Sequence, residues 1–203
     1  MEHYGKKNVR VNHGSLSFTD IKYLFEEFPV RDSIKYSPFF RPGKGENEVL
    51  YNILKQKNNI SKIRFGIGLE FPSDRILNKI KKGFKVKDVI DFLNICKEHD
   101  NLEVGANIIT GWDDITKKDV DDFDNFFEKL EYGSIKEVYP RWLFNIPDHN
   151  DSAKKHVRGP FYMGQFQEVD DEGYRLNKLI AEKLRYYSVK KGYRLYELSG
   201  IRI

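Results

Sequence analysis

The sequence predicts an α/β fold built on a parallel sheet: an incomplete (β/α) barrel of about five or six units. Three observations carry this expectation. Short apolar runs with strand character alternate with segments of helical periodicity along the chain. Residues 62–70 alternate strictly, with Phe65, Ile67 and Leu69 on one side and Arg64, Gly66, Gly68 and Glu70 on the other. The chain has 203 residues, short of the ~250 that a closed eight-unit barrel typically takes. A doubly wound dinucleotide fold is the other option. Its phosphate turn follows a strand, whereas Gly66-Ile67-Gly68-Leu69-Glu70-Phe71 lies within one, so that option is discounted.

The elements follow in order. Residues 9–11 read as a short strand. Residues 18–28 carry Phe18, Ile21, Leu24, Phe25 and Phe28 at helical spacing, with Ser17 or Thr19 as a cap and Pro29 just beyond. Residues 33–40 read as a strand, and Pro42, Gly43 and Gly45 as a loop. Residues 46–57 form a helix through Val49, Leu50, Ile53 and Leu54. After the alternating strand, a helix opened by Ser73 runs toward Gly83. Residues 86–99 are helical, with Val89, Ile90, Leu93 and Cys96 on the apolar stripe, and residues 102–110 are a strand. Residues 117–130 form a helix whose early acids, Asp119, Asp121, Asp122 and Asp124, suit the positive end of the helix dipole better than a metal. A strand at 135–144, a loop from 145 to about 169, a long helix at 172–191 and a last strand at 193–198 complete the reading.

One domain over residues 1–203 is expected. Fifteen Phe and twelve Tyr supply much of a single core. The net charge of +4 arises from 35 basic and 31 acidic residues spread along the chain, a mixed surface that does not point to nucleic acid. No apolar run reaches the length of a membrane span, and the first residues lack a signal-peptide core, so a cytoplasmic setting is expected. A single cysteine leaves no disulfide framework and no multi-cysteine metal site within the chain.

The chemistry centres on the strand at 62–70. Two glycines and a carboxylate on one face leave space with an acid at its end, which suits a ligand cavity better than a packed core. A helix follows at once, so Glu70 lies at a strand's C-terminal end, where α/β folds place their sites.

This stretch, Gly66-Ile67-Gly68-Leu69-Glu70-Phe71-Pro72-Ser73-Asp74-Arg75-Ile76-Leu77 with the turn Ile80-Lys81-Lys82-Gly83, resembles the radical S-adenosylmethionine superfamily. Many members of that family carry a similar G-x-E-S-x-S-D-x-x-L stretch ending in an N-K-G-like turn. The helix from Val86 to Cys96 and the strand Leu102 to Gly111 resemble the family's next unit, although Trp112-Asp113-Asp114-Ile115-Thr116 replaces its Pro-Gly-Glu-Thr-like loop. The resemblance covers residues 60–145 best and leaves 146–203 as a C-terminal extension. It implies a partial barrel that binds S-adenosylmethionine at the C-terminal ends of its strands. By the same resemblance Glu70, beside the cofactor-site glycines Gly66 and Gly68, would meet its ribose hydroxyls or amino group, Asn107 and Ile109 would line its adenine and ribose side, Arg141 could pair with a carboxylate, and Asn145 could meet the adenine.

The family also carries a Cys-x3-Cys-x2-Cys loop for a [4Fe–4S] cluster. Cys96 alone, on a helix's apolar stripe, reads as core filler. The resemblance starts partway into the barrel. It therefore implies a split or truncated radical enzyme whose cluster comes from a missing segment or a partner chain. The alternative is a cluster-less relative, a binding or structural module without catalysis. His149 and His156, with Asp148 and Asp151, share one polar loop; a solvated loop is the plainer reading than a metal site.

Overall fold

In a computed structural model of the chain, residues 9–26, 34–57, 60, 62–142 and 172–196 are described. They form a β/α alternation: β1 (Val9–Ser15), α1 (Phe18–Glu26), β2 (Ile34–Phe40), α2 (Lys44–Lys55), β3 (Ile63–Glu70), α3 (Asp74–Lys79), α4 (Val86–Lys97), β4 (Leu102–Thr110), α5 (Lys117–Lys129), β5 (Glu137–Trp142), α6 (Glu172–Lys191) and β6 (Arg194–Leu195). The six strands lie in one sheet in sequence order, β1-β2-β3-β4-β5-β6, and every pairing is parallel. Among the described residues β1 and β6 do not pair, so the sheet is open.

Strand order has a consequence for function. Each crossover steps one strand in the same direction, and parallel crossovers are right-handed. Among the described residues, helices then accumulate on one face and none lies over the other. Burial follows this rule. Ile63, Phe65, Ile67 and Leu69 of β3 are buried, as are Leu102, Val104, Ala106 and Ile108 of β4 and Val138 of β5. They join a core with residues of all six helices, including Ile21, Leu50, Ile76, Phe92, Phe123 and Ile180. Arg64, Gly66, Gly68, Asn107, Ile109 and Tyr139 alternate with them on the free face and keep partial exposure.

Aromatic rings do much of the packing. Phe40 stacks on Phe92 at 4.5 Å, and Phe65 meets both rings at 5.4 and 5.6 Å. A second cluster, Phe123, Phe127 and Tyr187, joins α5 to α6 with centroids 4.8 and 4.9 Å apart. Offset and tilted pairs of this kind add about 0.5–1.5 kcal/mol each beyond the area they bury.

Several boundaries differ from expectation for local reasons. β1 runs four residues beyond Val11, through a register shift between His13 and Ser15. α3 stops at Lys79 rather than at Gly83, because Lys81 adopts a left-handed φ of 55° before Gly83 at 74°. Ser73 sits at that helix's N-cap position but does not cap it. Its hydroxyl donates instead to Asp119 Oδ1 at 2.7 Å, with Asp122 Oδ2 a further 3.2 Å contact on α5. Phe18, expected on a buried stripe, is 48% exposed.

Candidate functional site

The free face carries a hollow of about 410 Å³ at the middle of β2, β3, β4 and β5. Its floor is a pair of glycines, Gly66 of β3 and Gly105 of β4, that face each other in register. Aromatic rings lean over this floor from both sides. A methyl group on Gly66 would stand 3.2 Å from the Phe39 ring, and one on Gly105 would stand 3.3 Å from the Tyr139 ring. Glycine is therefore what lets the two rings approach and leaves the space above the backbone. Phe39 itself is 48% exposed into this space.

The lower end of the hollow is closed by a charged cluster. The Arg64 guanidinium donates from Nε and Nη2 to Glu103 Oε2 at 2.9 and 2.7 Å, and from Nη1 to both oxygens of Glu137 at 3.0 Å. The Tyr139 hydroxyl also donates to Glu137, and the Tyr196 hydroxyl reaches its Oε1 at 3.2 Å, with the two phenol rings stacked 4.5 Å apart. Burial opposes the charge on Arg64, but the Glu103 hydrogen bond and the two carboxylates outweigh it and hold the guanidinium firmly protonated. Burial, then the hydrogen bond to Glu137, push the Tyr139 phenol well above its ordinary range, so it stays a donor.

The upper end is different. Asn107 and Arg141 line the hollow, and no described residue is recorded as partner to either side chain. One step further along β3, the chain bends. The register with β4 slips between Gly68 and Glu70, and Glu70 takes a left-handed φ of 61°. The slip re-aims the side chain, as bulges do. Its carboxylate folds back over Gly68 and accepts from Lys82 Nζ at 2.5 Å. Lys82 is fixed in turn: its amide donates to Leu77 O at 3.0 Å, and its carbonyl accepts from Arg41 Nη2 at 2.5 Å.

The residues singled out by sequence divide accordingly. Gly66, Asn107 and Arg141 come together around the hollow from three strands. Gly68 and Glu70 sit beyond it at the tip of β3, joined by Lys82 rather than open. Ile109 pairs in register with Arg141 but does not line the hollow, and its carbonyl accepts the Trp112 indole N–H at 2.8 Å. Asn145 lies outside the described residues, as do His149 and His156. Cys96 is buried on α4, with its thiol pushed up by that burial. Among the described residues no group of His, Cys, Asp and Glu is placed to hold a metal ion.

Sequence reasoning missed the lower cluster, Phe39 and the Lys82 partner. A signal for the cluster was present. Arg64-Phe65-Gly66 and Glu103-Val104-Gly105 have the same shape, a charge two residues before a glycine, with opposite signs. In-register parallel strands place those charges side by side. Compared with known proteins, the chain matches no family model and no curated sequence.

Asp119, expected to serve the helix dipole, does more. It is 1% exposed and caps α5 through Thr116, while its carboxylate accepts from Arg75 Nη2 at 2.6 Å and from Ser73. Burial would push its carboxyl up; the hydrogen bonds from Arg75, Thr116 and Ser73 more than offset this and draw it down to about 2. This is a structural latch that joins the loop after β3 and the first turn of α3 to the start of α5.

Proposed function

We propose that this chain is a radical-enzyme-like domain that binds S-adenosylmethionine on the uncovered face of its sheet, from the hollow at mid-strand to the C-terminal tip of β3. One observation supports this above the rest: Gly66, Asn107 and Arg141, chosen from sequence on three separate segments, line one hollow of about 410 Å³. That volume lies in the range of small-molecule pockets, roughly 300–1,000 Å³. The glycine floor is a cradle that any side chain would narrow. The donor set suits the ligand as well. Arg141 matches a carboxylate, Asn107 offers an amide to a purine or sugar, and Glu70 lies one step beyond.

The residues of this chain do not fit a [4Fe–4S] cluster. Its one cysteine is buried on α4, away from the free face, and no thiolate set exists to hold iron. Radical chemistry by such a domain therefore rests on a partner chain or missing segment that brings the cluster loop. The second reading is a cluster-less relative that keeps the hollow as a binding module, and it is motivated by the single cysteine of the sequence.

Titration calorimetry with S-adenosylmethionine tests the shared part of both readings. Binding that falls at least about tenfold in Arg141→Ala and in Glu70→Ala is the expected result. The absence of heat with the intact chain removes the proposal. Mass spectrometry of the natively purified protein then tests the split form of the first reading, which alone requires a co-purifying chain with three clustered cysteines.

A further inference from the structure

Glu70 is not a bare acid. Its carboxylate and the Lys82 ammonium form a pair over Gly68, and the pair is built rather than incidental. A methyl group on Gly68 would stand 2.6 Å from Glu70 Oε1 and 2.9 Å from Lys82 Nζ, so the glycine vacates the ground that both head groups occupy. The bulge and the left-handed backbone at Glu70 turn the acid toward this spot. The turn that presents Lys82 contains two left-handed residues, Lys81 and Gly83, and is tied to the end of β2 by Arg41. Both head groups keep some access to solvent, with side chains 17% and 29% exposed. Gly68 faces Asn107 across the strand pair, so the two charges stand next to the upper wall of the hollow.

From this geometry we infer that Lys82 is a ligand-binding residue, and that it forms with Glu70 a two-headed site for a vicinal diol such as that of a ribose. The inference rests on the nucleoside reading above and sharpens it. Adjacent hydroxyls are each donor and acceptor. The 3′ hydroxyl donates to the Glu70 carboxylate while the 2′ hydroxyl accepts from the Lys82 ammonium. A ligand ammonium is disfavoured at the same place, because Lys82 already neutralises the carboxylate and repels a second cation. The ribose end of the nucleoside, not its amino-acid end, therefore lies at the tip of β3.

Calorimetry on the full chain with adenosine, 2′-deoxyadenosine and S-adenosylmethionine decides this. The intact chain should bind adenosine about tenfold more tightly than 2′-deoxyadenosine, the size of one lost charge-assisted hydrogen bond. Lys82→Met should weaken adenosine about tenfold and bring the two nucleosides to near parity, while Lys82→Arg keeps part of the discrimination. Thermal melts of both variants check that the fold persists. A Lys82→Met chain that still prefers adenosine to its deoxy analogue to the same degree overturns the inference and leaves the nucleoside reading standing. So does tighter S-adenosylmethionine binding in Lys82→Met, which would place the ammonium at Glu70. No binding of any of the three by the intact chain overturns the nucleoside reading itself.

Discussion

Glu70 shows how one position can serve a site at the expense of its own backbone. A non-glycine residue at φ 61° costs roughly 1 kcal/mol relative to glycine. The Lys82 pair offsets part of that cost, although both side chains reach solvent and the pair is accordingly modest. The two contributions can be separated. Glu70→Gly and Glu70→Ala both lose the pair, and they differ in the backbone alone. Urea unfolding should find the alanine variant about 1 kcal/mol less stable than the glycine variant. Equal stabilities would mean that the left-handed turn at this position relaxes once the carboxylate is gone.

The elements are held in place by a few buried polar side chains at their ends. Asp119 ties the start of α5 to the loop that follows β3 through Arg75, Thr116 and Ser73. Asn177 does the same for α6. It accepts from the amides of Gly111 and Trp112 at 2.8 and 3.1 Å and donates to the Trp112 and Gly173 carbonyls at 2.9 and 2.8 Å. The loop after β4 is thereby fixed from the far helix. The Asp119 carboxyl titrates at about 2 in the folded chain against an ordinary value of 3.8. Its folded value is depressed, so its contribution is present above pH ~4 and is lost as pH falls toward 2. That difference corresponds to about 2 kcal/mol. Unfolding free energies measured between pH 5 and pH 2.5 should fall more steeply in the parent than in Asp119→Asn, and the variant should be the less stable at pH 6. Parallel profiles would show that another group carries the acid sensitivity.

At the scale of the whole molecule, an open parallel sheet needs something to close the lower end of its free face. The Arg64, Glu103 and Glu137 cluster fills that role, with Tyr139 and Tyr196 bonded to Glu137. Glu137 is 7% exposed, so removing Arg64 takes the guanidinium away from a buried carboxylate. Arg64→Met should destabilise the fold by about 3 kcal/mol, and the double variant Arg64→Met/Glu137→Leu should recover part of the loss. Chemical denaturation reads both. A double variant less stable than Arg64→Met alone would mean that the carboxylate is worth keeping for its tyrosine partners by themselves.

The same levels differ in how well the sequence alone reveals them. The strand at 62–70 was legible because alternation between aliphatic and polar positions is a local pattern, and the buried set came out as that pattern requires. Helix α4 was legible from its apolar spacing for the same reason. The end of α3 was not, because the left-handed step at Lys81 comes before the glycine that signals a stop. Ser73 opens α3 as read, but its hydroxyl partner was not legible, because Asp119 lies 46 residues away. The Glu70 and Lys82 pair was missed although both residues were in view, since only a bulge brings them together.

By itself, the amino-acid order determined the parallel β/α class, the strand that faces two ways and the glycines that keep one face empty. These follow from hydrophobic period and side-chain size, which act within a few residues. The tertiary structure decided strand order, and with it that the helices gather on one face while β2, β3, β4 and β5 share the hollow. It also decided which charges meet. Register between distant segments sets those distances, and no local pattern encodes it.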